Sequence, residues 1–122
     1  MKNSVVARLA LDRADGLLEF ESLREAISRT EIDVVEAFMP PPMGDVGVAE
    51  AKAAWPDKVI WANFPGSVFI LEPNEIGDFT VRLVREAMPG GRFILRVTEN
   101  IPQAVRQQGL LAMANGIAEY MK

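Results

Sequence analysis

Lys58-Val59-Ile60-Trp61-Ala62-Asn63-Phe64 is a run of β-branched and aromatic residues, bounded by Pro56-Asp57 before it and Pro65-Gly66 after it. It is apolar at nearly every position, the pattern of a strand covered on both faces, as in a parallel sheet. Reading outward, Asp33-Val34-Val35-Glu36-Ala37-Phe38 repeats the pattern upstream, and Arg92-Phe93-Ile94-Leu95-Arg96-Val97-Thr98 repeats it downstream. Between these strands lie helical segments. Asp45 is placed to cap a helix over Val46 to Trp55, which Pro56 stops. Pro73 suits a first helical turn, with Glu72 or Asn74 as cap. That helix runs to about Met88, with Ile76, Phe79, Leu83, Val84 and Ala87 on one face, and Pro89-Gly90-Gly91 ends it. Pro102 opens a last helix carrying Val105, Leu110, Leu111, Met113, Ala114, Ile117 and Met121. Towards the amino terminus, Val5 to Leu9 reads as a short strand and Leu18 to Arg29 as a helix with Leu23, Ala26 and Ile27 at helical spacing.

The order is therefore strand–helix, about four times over. That order predicts an α/β fold of parallel strands joined by right-handed crossover helices, in one domain covering residues 1–122. Four such units are half of a (β/α)8 barrel; an open doubly wound sheet is the alternative. A four-strand arc leaves two unpaired strand edges and an uncovered apolar face. Closure by a second copy or by a partner chain would complete eight strands.

Composition narrows the chemistry. The 122 residues include 17 acidic and 13 basic side chains, a net charge of −4, with no histidine and no cysteine. An acidic chain without a basic cluster is a poor ligand for nucleic acid or an anionic membrane. Lack of histidine and cysteine removes Ser-His-Asp and Cys-His catalysis and the usual zinc donors. No apolar run approaches the ~20 residues of a membrane helix, and Arg8 interrupts the first one too early for a signal peptide. The expected compartment is the cytoplasm.

The unusual residues cluster on the strand-to-helix side, where parallel α/β folds place their sites. Asp12-Arg13-Ala14-Asp15-Gly16 brings two carboxylates and a guanidinium together, either as a polar turn or as part of a site. Glu36 sits near the carboxyl end of an apolar strand, and alternation puts it on one face with Val34 and Phe38. Arg96 holds a similar place, on the face of Ile94 and Thr98. The two residues either pair with each other or anchor a substrate, since a buried charge is costly alone. Met39-Pro40-Pro41-Pro42-Met43-Gly44-Asp45 is a stiff connector and a possible pocket wall. Asn63 offers a donor and an acceptor. Glu99 and Asn100 stand before the last helix, where an anion or a simple cap fits. The candidate catalytic residues are Asp15, Glu36 and Glu99; the candidate substrate-binding residues are Arg13, Asn63, Arg96 and Asn100.

Three blocks carry a resemblance: Ile32 to Asp45 with its Met-Pro-Pro-Pro-Met-Gly-Asp ending, Lys58 to Pro65, and Val97-Thr98-Glu99-Asn100-Ile101-Pro102. In order and spacing they resemble the carboxyl-terminal part of the uroporphyrinogen decarboxylase superfamily, which includes corrinoid-dependent methyltransferases. The resemblance implies a (β/α)8 barrel with its site at the carboxyl ends of the strands. It implies cofactor-free decarboxylation in one branch and zinc-assisted methyl transfer, with a corrinoid protein as partner, in the other. Family members are roughly three times longer. Arg13 stands where many relatives have the His of a His-x-Asp-Gly motif, and Glu99 stands where the zinc-binding branch has Cys. Arg13 is a permanent cation with donors only and cannot ligate zinc. No cofactor is therefore expected. Three readings follow: a decarboxylase- or methyltransferase-like enzyme completed by a second copy or partner chain, a non-catalytic binding or accessory subunit, or a fragment of a longer enzyme.

Overall fold

The computed structural model describes residues 6–8, 24–44, 46–97 and 101–122. Four parallel strands form one sheet in the order β1-β2-β3-β4: β1 (Val6–Arg8), β2 (Val34–Phe38), β3 (Val59–Phe64) and β4 (Phe93–Val97). Helix α1 is described over residues 24–28, followed by α2 (Val48–Ala54), α3 (Pro73–Ala87) and α4 (Gln103–Tyr120). The chain is thus α/β with a parallel sheet, as the strand–helix alternation predicts.

Sequential order with every strand parallel means that each crossover steps the same way. With right-handed crossovers, all helices then fall on one side of the sheet. The core agrees. Ile27 of α1, Val48 and Ala51 of α2, Ile76, Leu83 and Ala87 of α3, and Ala112 and Met113 of α4 share one buried cluster with Val35, Ile60, Ala62 and Phe64. Phe93, Leu95 and Val97 join it from β4. Their strand alternates, Val34, Glu36, Val59, Trp61, Asn63, Ile94 and Arg96, point to the other side, where no described helix packs.

Residue-level causes are visible in each element. Trp55, at the end of α2, donates its indole N–H to the Arg24 carbonyl at 3.0 Å, tying α1 to α2. Phe64 packs on Phe69 with the rings tilted and 4.7 Å apart, and it meets Phe79 edge-on at 5.4 Å, joining β3 to α3. Helices α3 and α4 approach closely where small residues face each other: a Cβ on Gly116 would lie 2.9 Å from the Gly77 carbonyl oxygen. Two lysines serve the backbone. Lys58, buried, donates to the carbonyls of Ile32 at 2.7 Å and Thr30 at 3.3 Å. Lys52 donates to the carbonyls of Ala87, Pro89 (2.6 Å) and Gly91 (2.7 Å), so its ammonium closes the carboxyl end of α3. Burial, with the nearby Arg92 guanidinium adding to it, lowers the Lys52 pKa from its ordinary value.

Three details differ from the sequence reading. The expected cap, Asp45, lies outside the described residues. Helix α2 starts at Val48 behind Gly47, whose N–H donates to the Glu50 carboxylate at 3.3 Å. The link after Pro65 contains a 3-10 helix, Gly66–Ile70, that buries Val68 and Phe69. Strand β2 does not alternate to its end. Ala37 has φ +60°, and the β2–β3 register shifts between Glu36 and Phe38. This bulge rotates Phe38 into the core, where it is 1% exposed. Phe38 therefore does not share the face of Val34 and Glu36.

Candidate functional site

The face of the sheet away from the described helices is built from β2, β3 and β4. Register places Glu36 beside Trp61, Trp61 beside Ile94, and Asn63 beside Arg96. Residue 8 of β1 stands opposite Glu36 in the same register. Glu36 and Arg96 lie two strands apart, and the register sets Arg96 two residues beyond Ile94, the β4 residue in Glu36's row. Their side chains are long enough to meet across β3. Arg96 Nη1 donates to Glu36 Oε1 at 2.8 Å, with side-chain exposures of 34% and 14%. Of the two readings that the sequence left open, the ion pair is the one present in the structure.

Two polar atoms beneath this bridge are buried without a hydrogen-bond partner: the indole Nε1 of Trp61 and the amide Oδ1 of Asn63. One is a donor and the other an acceptor. Both lie on β3 in the same alternating set as Val59, on the side away from the helices. Buried polar atoms nearly always find partners, so this unpartnered donor and acceptor on β3 are an exception on this face. Trp61 was not among the sequence candidates. Its signal was available: it falls on the Asn63 face by simple alternation, and indole carries a polar handle.

Of the seven sequence candidates, the structure brings Glu36, Asn63 and Arg96 together on one face. Arg13, Asp15, Glu99 and Asn100 lie outside the described residues. The proline-rich connector does form a wall, but of a different space. Pro40 and Pro41 line a groove of about 570 Å³ with Glu50 of α2 and Phe79, Arg82 and Glu86 of α3, within the helical layer. That groove is lined by α2 and α3, on the helical side of the sheet, away from the Glu36–Arg96 pair.

Among the described residues, no group of three or more His, Cys, Asp or Glu side chains is placed to hold a metal ion. Among them, too, no helix is long and apolar enough to cross a membrane. No protein-family model matches the chain, and no curated protein matches it either.

Proposed function

We propose that this chain is a half barrel of the uroporphyrinogen decarboxylase type, whose ring is completed by a second copy or a partner chain and whose strand ends bind a small organic ligand. One observation carries the reading: four parallel strands in sequential order, with every described helix feeding one core, so that the opposite face is left with Glu36, Trp61, Asn63, Ile94 and Arg96. In a complete barrel that face is the lumen, and its carboxyl-terminal rim holds the site.

The ligand contacts come from Asn63 and Arg96. Asn63 Oδ1 accepts from a ligand N–H or O–H, and the Arg96 guanidinium binds an acidic group in a planar fork. Trp61 Nε1 supplies a second donor. Glu36 holds Arg96 in place and keeps the rim near neutral. In the family that the sequence resembles, such a rim carries decarboxylation or methyl transfer, and the reaction here is proposed as one of these. Half the strand ends are missing from a single chain, and positioning supplies much of an enzyme's advantage, so a monomer is expected to be inert. Arg13, Asp15, Glu99 and Asn100 stay in the proposal as further rim residues.

The Glu36–Arg96 ion pair favours a second reading, a binding or accessory subunit. A carboxylate engaged with a guanidinium at 2.8 Å is poorly placed as a free acid or base. The test is an assay of the full chain with uroporphyrinogen, and with a methyl donor and a thiol acceptor, alongside ligand titration. Turnover confined to an assembled species, and lost in Asn63→Ala, supports the enzyme. Binding without turnover, weakened by Asn63→Ala and Arg96→Met, supports the accessory subunit. Binding or turnover that ignores both substitutions contradicts the proposed site.

A further inference from the structure

We propose that residues 87–91 form a backbone cation site for a small ammonium-type ion, and that this chain fills the site with its own Lys52. The carbonyls of Ala87, Pro89 and Gly91 all accept from the one Lys52 Nζ, the last two at 2.6 and 2.7 Å. They belong to alternate residues of a single turn, so three neighbouring carbonyl dipoles converge on one point. An ordinary helix end does not do this, because its last carbonyls point along the axis. Here three consecutive left-handed residues turn the chain back: Gly90 at φ +79°, Gly91 at +67° and Arg92 at +55°. A Cβ added at Gly90 or Gly91 would meet nothing within 4 Å, so these glycines serve the backbone conformation and not a shortage of space.

The chemistry of the site selects its occupant. Every accepting atom is a neutral carbonyl oxygen, and among the described residues no carboxylate pairs with Lys52. The site stands at the carboxyl end of the 15-residue α3, where the helix dipole favours positive charge. The Arg92 guanidinium, with burial, works in the opposite sense and lowers the Lys52 pKa. Neutral donors beside a fixed cation suit a single charge and disfavour a divalent ion, which is held by carboxylates. A primary ammonium carries three N–H donors, one for each carbonyl. A planar guanidinium aims its donors in a fork and does not reproduce that convergence.

The position of the site gives it a consequence. Lys52 reaches from α2 to carbonyls 35 to 39 positions away. The turn it holds runs directly into β4, whose pairing with β3 begins where the Ile60 N–H donates to the Arg92 carbonyl at 3.0 Å. The bound cation therefore fixes where β4 enters the sheet, four residues before Arg96. A space of about 380 Å³ lined by Lys52, Trp55, Pro56, Pro89, Gly90 and Arg92 adjoins the turn, and with the lysine cut back it admits a free ion.

Thermal melting of the full chain as Lys52→Ala, in ammonium chloride and in tetramethylammonium chloride at equal concentration, tests this. Tetramethylammonium carries the same charge with no N–H donor. The parent chain should melt at the same temperature in both salts. Lys52→Ala in tetramethylammonium should melt about 5 °C or more below the parent, and ammonium or propylammonium should recover at least about half of that loss. Amide exchange at Ile60 should quicken in the variant and slow again with ammonium. Lys52→Arg, which keeps the charge, should not restore the parent. If Lys52→Ala does not fold, Lys52→Met, which keeps the stem, is read in its place. A variant that melts with the parent, or one that the two salts rescue equally or not at all, overturns the proposal.

Discussion

Arg96 and Glu36 form an ion pair at 2.8 Å that spans the strand between them, linking β4 to β2 over β3. Residues 60 positions apart in sequence are joined on a face that no described helix covers. Both side chains are partly shielded, so the pair is worth more than a surface contact and less than a fully buried one. Arg96→Met is expected to lower stability by about 1–2 kcal/mol in urea unfolding, and Glu36→Gln, which keeps an acceptor, by less. Equal, negligible effects from both would show that the pair contributes nothing to the fold.

Ala37 sits at φ +60°, a conformation that costs an L-residue with a Cβ about 1 kcal/mol or more. Ala37→Gly should therefore raise stability or leave it unchanged, while Ala37→Val should lower it by at least about 2 kcal/mol. Denaturant midpoints of the three proteins give the order. A stable Val variant would mean that the bulge is not held as described.

Gly116 in α4 provides an opposite-sign case. In an open helix interior, Gly→Ala stabilises by about 1 kcal/mol. Here the new Cβ would lie 2.9 Å from both the Gly77 carbonyl oxygen and Thr80 Cβ. Backbone cannot yield locally, so Gly116→Ala should destabilise by about 1–3 kcal/mol and loosen the α3–α4 contact. A stabilised variant, read by thermal melting, would contradict the close approach.

Zinc is expected not to bind tightly. The sequence has no histidine or cysteine, and oxygen donors alone suit harder ions. Metal analysis of protein purified without chelator checks this. Stoichiometric zinc that disappears in Glu36→Ala would overturn it.

Strand β3 was legible from its sequence because both its faces are apolar and its ends are marked by Pro56-Asp57 and Pro65-Gly66. Strand β2 was legible as an element but not in its facing. Hydrophobic alternation assumes regular backbone, and nothing in the residue type at Ala37 announces a left-handed turn of the chain. Phe38 was misassigned for that reason. The 3-10 helix after Pro65 was hidden by its length, since one or two turns carry no periodicity to detect. Asp45 is a better cap by residue type than Gly47, yet α2 begins after Gly47, where Glu50 reaches back to the cap N–H. Glu36 and Arg96 were recognisable as charges that either pair or anchor a substrate, and only their side-chain contact in the structure showed that they pair.

The central claim is that the sheet is half of a closed ring, and the dependence of melting on protein concentration tests it most directly. A chain whose fold is completed by association is stabilised by mass action. Dilution across a hundredfold range around low micromolar should lower the melting temperature progressively, while light scattering shows the mass falling from a dimer towards a single chain. A well-folded monomer that melts at the same temperature across the whole range would contradict the claim and make the sheet self-contained.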